Sequence, residues 1–298
     1  IGAGKAIDTD RFFVVSSDTL VNLNVKDPTV VTTGPASTNP DTGKPYGMSF
    51  PIVTIRDFVN VQKALLDSLG IKKLHAVAGA SMGSLQAYEW AAAYPGMVER
   101  IIPVIPAAQS NAFLIEWLDV WSAPIRLDPR WNNGDYYGKP EPVEGVALAL
   151  KTVTIHARHW AWADKTFGRK WAAPDRDPAK DWANRFLIEE TIDKIATARA
   201  KVADANSFLY LARANQLFVT GHRGTLEDGL KDIKAKVLII PAESDLLLFP
   251  AWSKEAMEIL KTQGNRVDYF EIAGDGGHLD GVVAIAKAAD VIRKFLNE

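Results

Sequence analysis

Cysteine is absent from the 298 residues, so this chain holds no disulfide, no thiolate nucleophile and no cysteine-ligated metal. That absence does not decide the compartment. An excess of charge is missing too. Thirty-four Lys and Arg stand against 36 Asp and Glu, a net charge of −2, which leaves no basic footprint for nucleic acid. No uncharged apolar run is long enough to span a bilayer. There is no Gly-rich phosphate loop, no dinucleotide fingerprint, no internal repeat and no low-complexity tract. No cofactor, metal, nucleic-acid or membrane partner is therefore expected. What remains is an ordinary globular composition, 47% apolar and 23% charged. It is long enough for one α/β core with an insertion.

The most informative segment is Gly79-Ala80-Ser81-Met82-Gly83. It follows the apolar run Leu74 to Ala78 and precedes a helix-like stretch from Ser84 to Ala93. A Gly-x-Ser-x-Gly between strand and helix matches the nucleophile elbow of the α/β-hydrolase fold. The serine must sit on a sharp, strained turn so that its hydroxyl leaves the sheet, and flanking glycines let backbone pass close by. The helix that begins there turns its free N–H groups and positive end toward a forming oxyanion.

Proteins with this elbow carry the later members of the triad in the order acid, then histidine. Lys236 to Pro241 reads as a buried strand and runs into a loop holding Asp245. Val267 to Ile272 reads as the next strand, leading to Gly274-Asp275-Gly276-Gly277-His278 and then a helix from about Gly281 to Leu296. Loops beyond strand ends are where open α/β sheets collect reactive groups. The expected roles are Ser81 as nucleophile, His278 as general base and acid, Asp245 as its orienting acid, and the Met82 N–H as one oxyanion donor. Glu243 and Asp275 are the fallback acids. Among the other histidines, His75 falls in the strand before the elbow. His156 and His159 are three apart on an expected helix without an acidic partner at ligand spacing. His222 sits in a Gly-rich loop and carries no signal.

Ile55, Phe58, Val59, Leu65, Leu66 and Leu69 fall at helical spacing, with Thr54 as cap and Gly70 as stop. Phe12 to Ser16 and Arg100 to Ile105 read as further strands. Alternating strands and helices predict a mostly parallel sheet with helices on both faces. From about Ala108 to Gly229 the alternation stops. This stretch is helical in pattern and holds seven of the nine tryptophans, Trp117, Trp121, Trp131, Trp160, Trp162, Trp171 and Trp182. The expected organisation is a core over residues 1–107, a helical lid over 108–229 and a second part of the core over 230–298. The tryptophans are expected mainly to pack the lid's own interior, with one or two facing an apolar pocket. The chain opens on Ile1 and reaches a strand pattern almost at once. A complete fold of this kind places strands and an oxyanion loop ahead of the elbow, so part of that region is expected to be missing, through processing or because the chain is a fragment.

Several segments resemble the homoserine O-acetyltransferase family of α/β-hydrolase-fold proteins. They are Gly34-Pro35-Ala36-Ser37-Thr38-Asn39-Pro40 with Thr42 to Gly47, Phe50-Pro51 with Thr54 to Asp57, and Ala80 to Gly83 with Gln86 to Trp90. Asp128-Pro129-Arg130-Trp131, Gly134 to Tyr137, and Asp204 to Leu211 complete the set. The resemblance covers nearly the whole chain. It implies the triad above, a helical lid, a homodimer with lid helices at the interface, a cytoplasmic setting unless a signal peptide preceded the chain, and an N-terminal region that supplies a second oxyanion donor.

Two departures bear on substrate. The family's acyltransferases carry an Arg shortly before the Asp-Pro-x-Trp segment, where this chain has Ser122, and an Asp directly after the histidine, where it has Leu279. A zwitterionic acceptor needs both charges countered in a partly dry site. Arg126 and Asp280 are the nearest replacements. The expectation is a serine carboxylesterase for short-chain esters. The alternatives are an O-acyltransferase moving acetyl from acetyl-CoA to homoserine or another alcohol, and a non-catalytic binding protein on the same fold.

Overall fold

Thr54 ends an extended segment and caps α1 (Ile55–Ser68). Its N–H donates to the Asp57 carboxylate at 2.8 Å and its hydroxyl accepts from the Asp57 N–H at 3.4 Å. This reciprocal box satisfies two donors that a helix start otherwise leaves open. The computed structural model describes residues 1–298. In chain order there follow β1 (Val77–Ala80), α2 (Met82–Ala93), β2 (Arg100–Val104), α3 (Ala112–Leu127), α4 (Val143–His156), α5 (Trp160–Thr166), α6 (Leu187–Ala200) and α7 (Ala205–Gln216). The chain ends with α8 (Leu226–Leu230), β3 (Lys236–Ile239), α9 (Pro250–Thr262), β4 (Val267–Tyr269), α10 (Asp280–Val283) and α11 (Ala289–Asn297).

Two units emerge. One comprises Ile1–Ser17, Val53–Leu114 and Asn215–Glu298, and the other Asp18–Ile52 and Ile115–Ala214. The first unit holds a parallel sheet in the order β1-β2-β3-β4. Its register pairs Val77 with Ile101, Ile101 with Val237, and Val237 with Val267. Ile102, Val104, Leu238, Ile240 and Ile272 pack with Ala288, Ile292, Phe295 and Leu296 of the C-terminal segment. The central strands β2 and β3 are buried and read as largely apolar runs, which is why they stand out in the sequence. Helix α2 is buried from Ser84 through Ala92. Inside it the Glu89 carboxylate, fully buried, pairs with Arg56 of α1 and accepts the Gly221 N–H at 2.8 Å.

Three expectations are corrected. Phe12 to Ser16 forms no strand: Phe12 stacks on His75 and Phe13 is 81% exposed. Aromatic and β-branched residues supply propensity, but a strand also needs a partner's ladder. The single helix expected from about Gly281 to Leu296 is broken into α10, a 3₁₀ turn over Ile285–Ala288, and α11. The break falls at Ala284, whose φ of −110° and ψ of 10° leave the helical region. His156 and His159 do not share a helix. His156 ends α4, and His159 caps α5, its Nδ1 accepting the Ala161 N–H at 3.3 Å.

The second unit is helical around Ile125, Tyr136, Val146, Leu150, Ala196 and Phe208. All seven tryptophans of the expected lid fall within it. Trp121 and Trp131 pack against that core, whereas Trp160 is 67% exposed and Trp182 fully so. A buried polar cluster centres on Asp204. It accepts from the Tyr136 hydroxyl, from the Tyr137 hydroxyl at 3.1 Å, and from the Ser207 N–H and hydroxyl at 2.8 and 2.7 Å. Asn206 beside it accepts the Trp131 indole N–H at 2.9 Å and donates to the Gly134 carbonyl at 2.9 Å. No helix of the chain is long and apolar enough to cross a membrane.

Candidate active site

Ser81 stands between β1 and α2 with φ 55° and ψ −121°, a conformation that L residues rarely hold. The turn is pinned from both sides. The Ser81 N–H donates to the Val104 carbonyl at 3.0 Å, and its own carbonyl accepts the Ser84 N–H at 2.8 Å. The glycine before it is required by space. A Cβ on Gly79 would lie 2.2 Å from the Gly83 carbonyl oxygen, because the first turn of α2 crosses directly over β1. Met82 opens α2. As the first residue of the helix, Met82 has an N–H with no carbonyl one turn back to receive it.

The loops after β3 and β4 bring the other two groups to the serine. Asp245 is 1% exposed, and its Oδ1 accepts the N–H groups of Leu247 and Leu248 at 2.8 and 2.9 Å. Its Oδ2 lies 2.7 Å from Nδ1 of His278. A carboxylate can only accept, so Nδ1 carries a proton, and Nε2 is left to accept the Ser81 hydroxyl at 2.8 Å. His278 is buried in a 3₁₀ turn over Gly277–Leu279. The arrangement can remove a proton from a serine hydroxyl and hold it on an imidazole whose charge a buried carboxylate offsets. Asp245, and neither Glu243 nor Asp275, is the acid on the ring. Glu243 is exposed at the same strand end.

The expected substrate-side residues divide between the units. Leu279 is half-buried next to His278. Asp280, a candidate partner for a substrate ammonium, is 7% exposed and accepts the Gly276 N–H at 2.8 Å, so it is engaged by backbone. Ser122 and Arg126 belong to the second unit. The Ser122 hydroxyl donates to the Leu118 carbonyl of its own helix at 2.7 Å, and Arg126 pairs with Asp119 at 2.8 Å. Sequence reasoning passed over Ser244, whose hydroxyl accepts the Gly277 N–H at 3.1 Å and links the acid loop to the histidine loop. The one available signal was its place beside Asp245.

A family model described as the alpha/beta hydrolase fold matches residues 32–283. A homoserine O-acetyltransferase of Methanosphaerula palustris is 42% identical over 298 residues, covering 100% of this chain and 59% of that protein. The chain thus spans 59% of the length of that curated relative. Among solved structures, esterase E22 is 52% identical with a TM-score of 0.93, covering 99% of this chain and 80% of that one. The homoserine O-acetyltransferase from Bacillus anthracis is 36% identical with a TM-score of 0.95, covering 100% of this chain and 80% of that one. With the elbow, the parallel sheet and the order of the three loops in agreement, the chain belongs to the α/β-hydrolase fold family, and within it to the homoserine O-acetyltransferase-like proteins.

Proposed function

We propose that this protein transfers acyl groups through a covalent acyl-enzyme on Ser81, and that water is the acceptor, making it a carboxylesterase for short-chain esters. The observation that carries the reading is the continuous relay from Ser81 Oγ to His278 Nε2 at 2.8 Å and from His278 Nδ1 to Asp245 at 2.7 Å. Ser81 Oγ attacks the ester carbonyl carbon while His278 Nε2 takes its proton, and the carbonyl electron pair moves to oxygen, near the Met82 N–H. Collapse of the tetrahedral intermediate breaks the ester C–O bond, and the departing alkoxide receives the proton from His278. Water then attacks the acyl carbon, losing its proton to the same nitrogen. The acyl carbon–Oγ bond then breaks, Ser81 Oγ takes the proton back from His278, and the acid leaves.

The second reading is acetyl transfer from acetyl-CoA to L-homoserine. It differs only in the acceptor, and the names of the curated relatives lean toward it. What supports water is local chemistry. The residue after His278 is the apolar Leu279, and the Asp280 carboxylate is already bonded to Gly276. A substrate ammonium brought beside His278 would find no charge at Leu279, and the Asp280 side chain is turned into the loop backbone. The 52% identity to esterase E22, against 42% and 36% to the two homoserine O-acetyltransferases compared above, points the same way.

A paired assay on the full chain decides between them. Hydrolysis of p-nitrophenyl acetate is followed, and CoA release from acetyl-CoA is followed with and without L-homoserine. The expected outcome is ester turnover with no homoserine-dependent CoA release. Strong homoserine-dependent release would replace the hydrolase with the transferase.

A further inference from the structure

The loop that carries His278 contains three glycines in four residues, Gly274, Gly276 and Gly277. Such a loop has high conformational entropy when free. A general base must nevertheless hold its nitrogen on the nucleophile to within a fraction of an ångström. Something has to fix the loop, and the groups that do so are visible.

The side chain of Asp280, two residues past the histidine, folds back into the loop. Its Oδ2 accepts the Gly276 N–H at 2.8 Å. Cβ atoms placed on Gly274 and Gly276 would meet its carboxylate oxygens at 2.3 and 2.4 Å. The backbone therefore wraps around this carboxylate so closely that glycine is needed on both sides of it. A second tie comes from the acid loop, where the Ser244 hydroxyl accepts the Gly277 N–H at 3.1 Å. A third holds the base of the loop, where the Lys287 ammonium donates to the Ala273 carbonyl at 2.6 Å. Gly276 and Gly277, the two residues directly before His278, thus each have their N–H fixed by a side chain.

We propose that Asp280 is a positioning residue for His278. Its carboxylate is the template on which the histidine loop folds, and Ser244 couples that loop to the turn holding Asp245. The proposal rests on the acyl-enzyme reading and assigns Asp280 a role in orienting the base instead of binding substrate. Removing the carboxylate frees the Gly276 N–H and leaves a void between two glycines, so the imidazole loses its fixed approach to Ser81. The loss falls on the rate of acylation, because the ester is bound by other groups.

The test uses the full chain and two probes, p-nitrophenyl acetate turnover and the rate of Ser81 labelling by a p-nitrophenyl phosphonate. Asp280→Ala is expected to lower kcat and the labelling rate on the order of 100-fold. KM should stay within about twofold and circular dichroism should be unchanged, a split that merely structural damage does not produce. Asp280→Asn keeps an acceptor oxygen for Gly276 and is expected to stay within about threefold of the wild type. Ser244→Ala should lower kcat about tenfold at an unchanged melting temperature. A folded Asp280→Ala with wild-type labelling, or equal losses in the Ala and Asn variants, overturns the positioning role. Should Asp280→Ala fail to fold, Ser244→Ala decides: a loss supports the proposal and an unchanged rate overturns it. A wild-type chain that takes no label overturns the acyl-enzyme reading and this proposal with it.

Discussion

Each unit holds one aspartate at 2% exposure or less, and the two are used in opposite ways. Asp204 is 2% exposed and Asp245 is 1% exposed. Asp204 is saturated by two phenols, a serine hydroxyl and a backbone N–H. Asp245 also takes two backbone N–H groups, but both go to one oxygen, and the other is kept for an imidazole that can exchange its proton. Beyond the imidazole stands a strained serine, only partly buried. A buried carboxylate whose donors hold their protons stiffens the structure around it. The same carboxylate bonded to an imidazole that itself touches a serine hydroxyl is arranged for chemistry. The difference lies in the last partner and not in the depth of burial.

The largest effect expected from breaking this contrast comes at its reactive end. Ser81→Ala should lower kcat on the order of 10⁶-fold while circular dichroism stays unchanged. Surviving turnover would place the nucleophile elsewhere. Next comes a crossed pair of substitutions. Asp245→Asn should cost about 10⁴-fold in kcat by favouring the wrong imidazole tautomer, with little change in urea midpoint. Asp204→Ala should do the reverse, losing about 3 kcal/mol or more in urea unfolding as two phenols and a hydroxyl lose their acceptor. If both variants lost activity and stability alike, the contrast between the units would fail.

A smaller effect separates the two by pH. Burial first, and the Asp204 carboxylate next, hold the Tyr136 and Tyr137 phenols well above the usual tyrosine range. In the unfolded chain they titrate at about 10. The folded state thus binds these protons more tightly, and their contribution to stability is complete below about pH 10 and declines above it. Urea midpoints measured up to about pH 11 should fall, with tyrosinate absorbance appearing only as the chain unfolds. Ionisation of these tyrosines while the fold persists would contradict the closed network. The smallest effect belongs to Leu279→Asp, which should reduce kcat/KM for apolar esters about tenfold by placing a carboxylate beside the relay. Unchanged ester kinetics would remove Leu279 from the acceptor argument.

The reactive side of this comparison was legible in the sequence because its parts are short and local. Ser81 is announced by glycines two residues to either side. Asp245 and His278 each follow an apolar run that reads as a strand. Strand ends are where the topology of a parallel sheet delivers groups to one place. The Asp204 cluster left no comparable trace, since Tyr136, Asn206 and Trp131 find one another only through tertiary packing. Ser244 and the backward reach of Asp280 were hidden for a related reason: Asp280 bonds backbone four residues earlier, Ser244 bonds backbone 33 residues later, and neither contact leaves a periodicity. Phe12 to Ser16 misled because propensity speaks for an extended backbone and says nothing of a neighbouring strand. The helix after His278 was overdrawn because the alanine-rich run 284–289 favours helix locally, while the turn holding the histidine and the docking of α11 on the sheet each fix their own direction.

The hydrogen bond between Ser81 and His278 joins residues 197 positions apart, whereas the bond from His278 to Asp245 spans 33. Closing the longer loop costs about 1.6 kcal/mol more in chain entropy on logarithmic scaling. The shorter closure, between Asp245 and His278, is therefore expected to form first in refolding, with Ser81 joining once β1 has found β2. Reactivity toward a phosphonate is consequently a clock for the end of folding: secondary structure should return first, and the competence of Ser81 should lag behind it.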